Sequence, residues 1–439
     1  MTYMEDEENE IKKANQLIDY IYESPTSFHA VKNASKLLKS RGFTEIFEGD
    51  KWNLKKGGKY FVTKNQSALI AFTIGDGEIE DIGFKIIAAH TDSPGFRLKP
   101  NSDIEVEGSY IKFNTEVYGG PILNTWMDRP LSLAGRVCLR GKDPLHPDIR
   151  LVNVKRPLMV IPNLAIHLNR NINSGIKLNR QTHMLPLVAL VNENYKGHKY
   201  INEIIASEIS VSPDEILDFD LFLYEFEKGS IVGQNREFIS SGRLDDLSMV
   251  YPGIEAISSC EVKHGINVMV CFDNEEVGST TKQGANSPMF LSVLRRIAFN
   301  FGKDIEEFYR AISKSFIISC DLGHALHPNY LEKSDPVNRP IINKGPVIKI
   351  SASQSYTTDS VSSAIYREIC KNAKIPVQVF VNRSDERGGS TIGPISSSHV
   401  NITSVDMGNP ILSMHSIREL GGVKDYCYAE RSFKKFYDL

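Results

Sequence analysis

The chain has 439 residues, 41% of them apolar and 24% charged, with a formal charge of −3. That length exceeds one typical domain, and the composition supports a sizeable folded core rather than disorder. The near-balanced charge gives no electrostatic case for nucleic acid or an anionic membrane, and no apolar run reaches the roughly 18 residues that span a bilayer.

The first ten residues, Met1 to Glu10, are acidic, the opposite of a secretory or mitochondrial targeting segment. Ile11 to Tyr22 has helical periodicity, and Ser24-Pro-Thr-Ser-Phe28 supplies caps for a second helix from about His29 to Ser40, closed near Gly42. Strand-like runs follow at Tyr60 to Thr63, Ser67 to Phe72 and Gly83 to Ala89, the last ending in His90-Thr-Asp-Ser-Pro94. From 95 to 237 short β-type runs, such as Ser109 to Phe113 and Leu131 to Leu139, alternate with Gly, Pro and Asp turns. That texture predicts a mostly β insert. After Arg243 helices are predicted at Ser248 to Ile257, Met289 to Phe301 and Thr358 to Lys374. Strands alternate with them at Ile266 to Phe272, Ser315 to Cys320 and Ile375 to Val381. Six cysteines show no Cys-x-x-Cys spacing; Cys260, Cys271 and Cys320 fall in or beside apolar runs, as reduced core thiols do. A cytoplasmic protein is expected.

The alternation predicts an α/β fold with a mixed, mostly parallel central sheet flanked by helices. Residues 1–94 and 238–439 form it, and the β-rich insert at 95–237 interrupts it. In such sheets ligands sit outside the carboxyl ends of the strands. The run Gly265 to Phe272 leads into Asp273-Asn-Glu-Glu276, and adjacent ionised carboxylates at a buried strand end need a cation or a proton. Phe84 to His90 delivers a histidine in the same way, Phe316 to Asp321 an aspartate, and Pro410 to His415 a second histidine. Arg243-Leu-Asp-Asp246 adds a carboxylate pair. Taken singly, each has a duller explanation: a core histidine, a helix cap, an acidic turn. Gathered at the mouth of one sheet, two histidines and three carboxylates suit two zinc-like ions, with manganese and cobalt also compatible. A bridging carboxylate would hold the ions about 3.5–4 Å apart, where they lower the pKa of bound water and polarise a carbonyl. One glutamate would then be a ligand and the other the general base toward that water. Asp92, two residues past His90, suits a bond to the ring's other N–H.

At these residues the sequence resembles the aspartyl aminopeptidase family of dinuclear zinc exopeptidases. The resemblance is carried, in order, by His90-Thr-Asp-Ser-Pro94, Arg243-Leu-Asp-Asp-Leu247, Asp273-Asn-Glu-Glu-Val-Gly-Ser279, His324-Ala-Leu-His-Pro-Asn-Tyr330, Gly345-Pro-Val-Ile-Lys349, Thr391-Ile-Gly-Pro394 and Met414-His-Ser-Ile-Arg-Glu419. It spans nearly the whole chain. It implies one zinc on His90 and Asp321, another on Glu276 and His415, Asp245 bridging, and Glu275 as general base. It also implies that the insert is a dimerisation domain and that dimers assemble into a tetrahedral dodecamer. Pro162 to Asn171 matches the segment whose histidine, here His167, reaches a neighbouring subunit's active site to contact substrate or the tetrahedral intermediate. Lys349 matches the position that pairs with an acidic substrate side chain, which implies peptides with N-terminal Asp or Glu as substrates. Ser355 stands where the family's Gln-Arg-Tyr form has arginine, and some relatives prefer neutral residues.

Rival readings use the same residues. An aminopeptidase of neutral preference is one, and a deacylase or carboxypeptidase on the same scaffold is another. A catalytically silent scaffold, whose metals only support assembly, is the rival of a different class. A carboxylate held beside the metals but off them, as Glu275 would be, argues against that last reading.

Overall fold

Strand Ile266–Phe272 is buried at every residue, as a strand covered on both faces must be. Its alternate residues serve two cores: Val268, Val270 and Phe272 pack in one, Met269 and Cys271 in the other. The computed structural model, which contains this strand, describes residues 2–192, 199–261, 263–386 and 388–439, with side chains of the first helix from Glu7 onward. Two units emerge. The first comprises Met1–Asp92, Gly229–Met414 and Glu419–Leu439; the second comprises Ser93–Lys228 and His415–Arg418.

The first unit is built on a nine-stranded sheet. From edge to edge its strands are Thr44–Glu45, Lys59–Lys64, Ala68–Ile74, Ile266–Phe272, Phe84–His90, Phe316–Cys320, Thr403–Gly408, Val347–Lys349 and Gln378–Phe380. The four from Ile266–Phe272 to Thr403–Gly408 run parallel, with antiparallel neighbours on both sides. One face carries Thr2–Glu23, Ser27–Ser40, Leu244–Ser259, Ser360–Asn372 and Val423–Tyr437; the other carries Met289–Asn300, Ile305–Lys314 and Ile392–Val400. This is the mixed, mostly parallel sheet flanked by helices that the alternation predicts. A three-stranded sheet of Ser230–Val232, Phe238–Ser241 and Glu419–Gly422 belongs to the same unit, so residues 229–237 join it rather than the insert.

Several elements differ in extent from their sequence signals. The helix expected at 248–257 is Leu244–Ser259, and its first turn is broken by non-helical backbone at Asp245 and Asp246. The strand expected at 375–381 shrinks to Gln378–Phe380, because the Ile375 N–H closes the preceding helix onto Cys370 and Pro376 has no N–H to give. Helix Ile305–Lys314, with a capping box between Asp304 and Glu307, and the C-terminal helix Val423–Tyr437 were not anticipated.

The second unit is a six-stranded antiparallel sheet in the order His146–Asn153, Leu131–Asp143, Ile216–Glu225, Gly95–Val106, Tyr110–Tyr118 and Leu187–Leu190. Helix Tyr200–Ile209 packs Ile201, Ile204 and Ile205 into its core. A buried Glu225 there is gripped by Arg129 at 2.6 Å and Arg418 at 2.8 Å. Among the described residues, no helix is long and apolar enough to cross a membrane.

Candidate metal centre

Three of the four parallel strands of the first unit end at or just before a residue that could bind a cation, His90, Asp273 and Asp321. His90 closes its strand with the ring buried. Its Nδ1 lies 3.1 Å from the Asp92 carbonyl oxygen and 3.4 Å from Asp92 Oδ1. Since a carbonyl only accepts, Nδ1 carries the proton and Nε2 is the ligand nitrogen; it lies 3.4 Å from Asp245 Oδ1. Asp92 does more than orient this ring. Its Oδ1 accepts the Glu275 N–H and its Oδ2 the Glu276 N–H, both at 3.1 Å, so one carboxylate fixes the histidine and both glutamates.

The glutamates sit on the short 3₁₀ turn Glu275–Val277, entered through Asn274 at φ 63°. Asp245 and Asp246, joined by a cis peptide, are buried at the head of their helix. The Asp245 N–H is anchored on Glu419 Oε2 at 3.0 Å, and Asp246 Oδ2 accepts the His90 N–H at 3.1 Å. Asp321 follows its strand directly, its N–H bonded to the Met407 carbonyl, and its Oδ2 lies 3.5 Å from Lys349 Nζ. Lys349 is not a solvated edge residue, as a lysine in so short a strand usually is. It is 2% exposed and also donates to the Leu322 carbonyl at 3.1 Å.

The donor atoms of His90, Asp245 and Asp246 lie within 4.8 Å of one another, as do those of His90, Glu275 and Glu276. Burial pushes Glu275 up to about 8 although the His90 charge opposes it, and burial pushes Glu276 and Asp246 well above the ordinary carboxylate range. Asp321 is raised for the same reason, against the pull of Lys349. Burial works against charge on the His90 ring too, but the Asp246, Asp245 and Asp92 carboxylates outweigh it and raise its pKa well above the usual value. Asp246 Oδ1, fully buried, has no hydrogen-bond partner among the described residues. Crowded buried carboxylates with one imidazole are a donor set that fits divalent cations of the zinc, manganese or cobalt type.

The family model for "Aminopeptidase I zinc metalloprotease (M18)" matches residues 20–437. The chain belongs to the M18 family of zinc aminopeptidases. It is 60% identical to "Probable M18 family aminopeptidase 2" of Clostridium novyi (strain NT), covering 98% of this chain and 100% of that one. It is 40% identical to "Probable aspartyl aminopeptidase" of Ricinus communis, covering 97% and 94%. Among solved structures, "Cryo-EM structure of the Ape4 and Nbr1 complex" superposes with a TM-score of 0.94 at 40% identity, covering 98% of this chain and 86% of that one. "Structure of S. cerevesiae mApe1 dodecamer" superposes with a TM-score of 0.84 at 27% identity, covering 97% and 96%.

In this M18 chain the first unit therefore brings together His90, Asp92, Asp245, Glu275, Glu276, Asp321 and Lys349. His415 lies on the segment His415–Arg418 of the second unit, half-buried, with Nδ1 3.2 Å from the Gly120 carbonyl. His167 is exposed in a turn of the second unit. Sequence reasoning gave no role to Asp246 or Glu419. Asp246 is visible beforehand only as half of an Asp-Asp pair, and Glu419 only as the end of the Met414 to Glu419 motif; their partners are 156 and 174 residues away in the chain.

Proposed function

We propose that this M18 chain is an aminopeptidase that removes acidic N-terminal residues from peptides, with two divalent metal ions, most simply zinc, and Glu275 as general base. The observation that carries the reading is Glu275 itself, a half-buried carboxylate at the strand ends whose backbone N–H is held by Asp92 beside His90. His90 and Asp321 would hold one ion, Glu276 and His415 the other, with Asp245 shared. His415 follows Met414 directly in the chain, and the family resemblance gives it this place. Bound there, the ions would supply Lewis acidity to the scissile carbonyl and to the attacking water.

The residues of the chain do the remaining work. Glu275 takes a proton from the attacking water and delivers it to the leaving amine, which departs as the C–N bond breaks. Asp92 keeps Glu275 and Glu276 in register by holding their N–H groups. Lys349 is the cation that suits an Asp or Glu side chain, consistent with the relative named as a probable aspartyl aminopeptidase. His167 would reach a neighbouring subunit's site, in a tetrahedral dodecamer built from dimers through the β-rich unit. The support for assembly is the similar protein solved as a dodecamer. The cytoplasm suits the buried free thiols Cys260, Cys271 and Cys320.

The test is a metal-loaded assay across chromogenic substrates bearing each N-terminal residue type, free and N-acetylated. Aspartyl and glutamyl substrates should lead, and N-acetylation should abolish cleavage. A clear preference for leucyl substrates would remove the acidic assignment; cleavage of blocked peptides would remove the aminopeptidase.

A further inference from the structure

Lys349 and Asp321 come from strands that do not touch: Thr403–Gly408 lies between Val347–Lys349 and Phe316–Cys320. Two inter-strand spacings amount to roughly 10 Å, a gap only a long side chain can close. Gly408 narrows it, because a Cβ there would stand 1.9 Å from the Asp321 carbonyl oxygen, so only a residue without one lets the Asp321 backbone come so close. The ammonium ends on two groups of adjacent residues, the Asp321 carboxylate at 3.5 Å and the Leu322 carbonyl at 3.1 Å. The Tyr356 ring lies 5.3 Å from it. Asp406, fully buried and held by the Thr357 N–H at 2.6 Å and the Thr391 hydroxyl at 3.0 Å, supplies a second negative charge to this lysine.

A charge placed only to meet substrate would not be spent on the chain's own carboxylate. We infer that Lys349 is a positioning residue for Asp321, fixing one carboxylate oxygen and the following carbonyl so that the other oxygen is presented to a metal ion. The inference rests on the reading of Asp321 as a metal ligand, and it joins ion retention to the residue otherwise assigned to substrate recognition.

The test uses the full-length protein loaded with zinc, as parent, Lys349→Met and Lys349→Arg. Each is dialysed against graded chelator, and zinc per subunit is measured by mass spectrometry beside a thermal melt. Lys349→Met should fold and yet release one ion at chelator concentrations about 10- to 100-fold lower than the parent. Its kcat should fall alike on aspartyl, glutamyl and leucyl substrates, and Lys349→Arg, which keeps the charge, should restore part of the retention. Parent-level retention in Lys349→Met overturns the inference; with a selective rise in KM for acidic substrates, it leaves substrate recognition standing alone. If the methionine variant does not fold, Lys349→Gln repeats the measurement with the same two outcomes. A parent that binds no zinc would instead sink the metal reading itself.

Discussion

A carboxylate has two oxygens, and Asp92 uses one on the Glu275 N–H and the other on the Glu276 N–H while its carbonyl holds His90. An asparagine has one acceptor oxygen and turns the other into a donor, so one of those N–H groups would face a repelling partner. Asp92→Asn should therefore lower turnover about 10- to 100-fold and weaken metal retention, measured by initial rates and zinc content. Glu275→Gln is the opposite case. The amide keeps the size but takes no proton, so turnover should fall about 10²- to 10⁴-fold with zinc content unchanged. Unchanged turnover would refute the base assignment. The strand-end residues were legible in the sequence because a buried apolar run followed by a carboxylate is costly without a cation. The double use of Asp92 was not, since a hydrogen bond across 183 residues leaves no local trace. The contact of Lys349 with Asp321 was hidden for a related reason: the two residues come from strands separated by a third, 28 residues apart in the chain.

At the scale of elements, the C-terminal helix Val423–Tyr437 shows how a loop is tied to the sheet. Asp425, buried in its first turn, accepts the N–H groups of Asn343 and Gly345, just before strand Val347–Lys349. Burial pushes its pKa up to about 7 although both N–H groups pull it down. The folded value lies above the unfolded one of about 3.9, so the contribution of this group to stability is full below about pH 4 and is lost as pH rises through about 7. Asp425→Asn should flatten that part of the decline in Tm between about pH 4 and 7, read by thermal melts at stepped pH. An identical slope in parent and variant would show that the group ionises freely. This helix escaped the sequence reading, as did Ile305–Lys314, although the Asp304 and Glu307 pair is a helix-start signal in plain view. Strand Ile266–Phe272 did not escape, because seven buried residues in a row allow little else, whereas the parallel strand Thr403–Gly408, with Asp406 inside it, did.

For the whole molecule, the exposed His167 gives the assembly a direct readout. A subunit with Glu275→Gln keeps a working His167, and a subunit with His167→Ala keeps a working Glu275. Neither should be active alone. Co-expressed and purified together, random pairing across a two-fold interface would restore about a quarter of the sites if His167 acts in the partner, and none if it acts in its own subunit. The order of strands in the larger sheet has a consequence for synthesis. Strand Phe84–His90 is made early, yet its neighbours Ile266–Phe272 and Phe316–Cys320 begin only 176 and 226 residues after it ends, so its apolar run waits for them through all of the intervening synthesis. The six strands of the second unit all lie between Gly95 and Glu225 and can close on one another in the meantime. The part of the chain inserted into the sheet is thus the part able to fold first, and the half-built catalytic sheet is the stage at which a nascent chain most needs shelter from its neighbours.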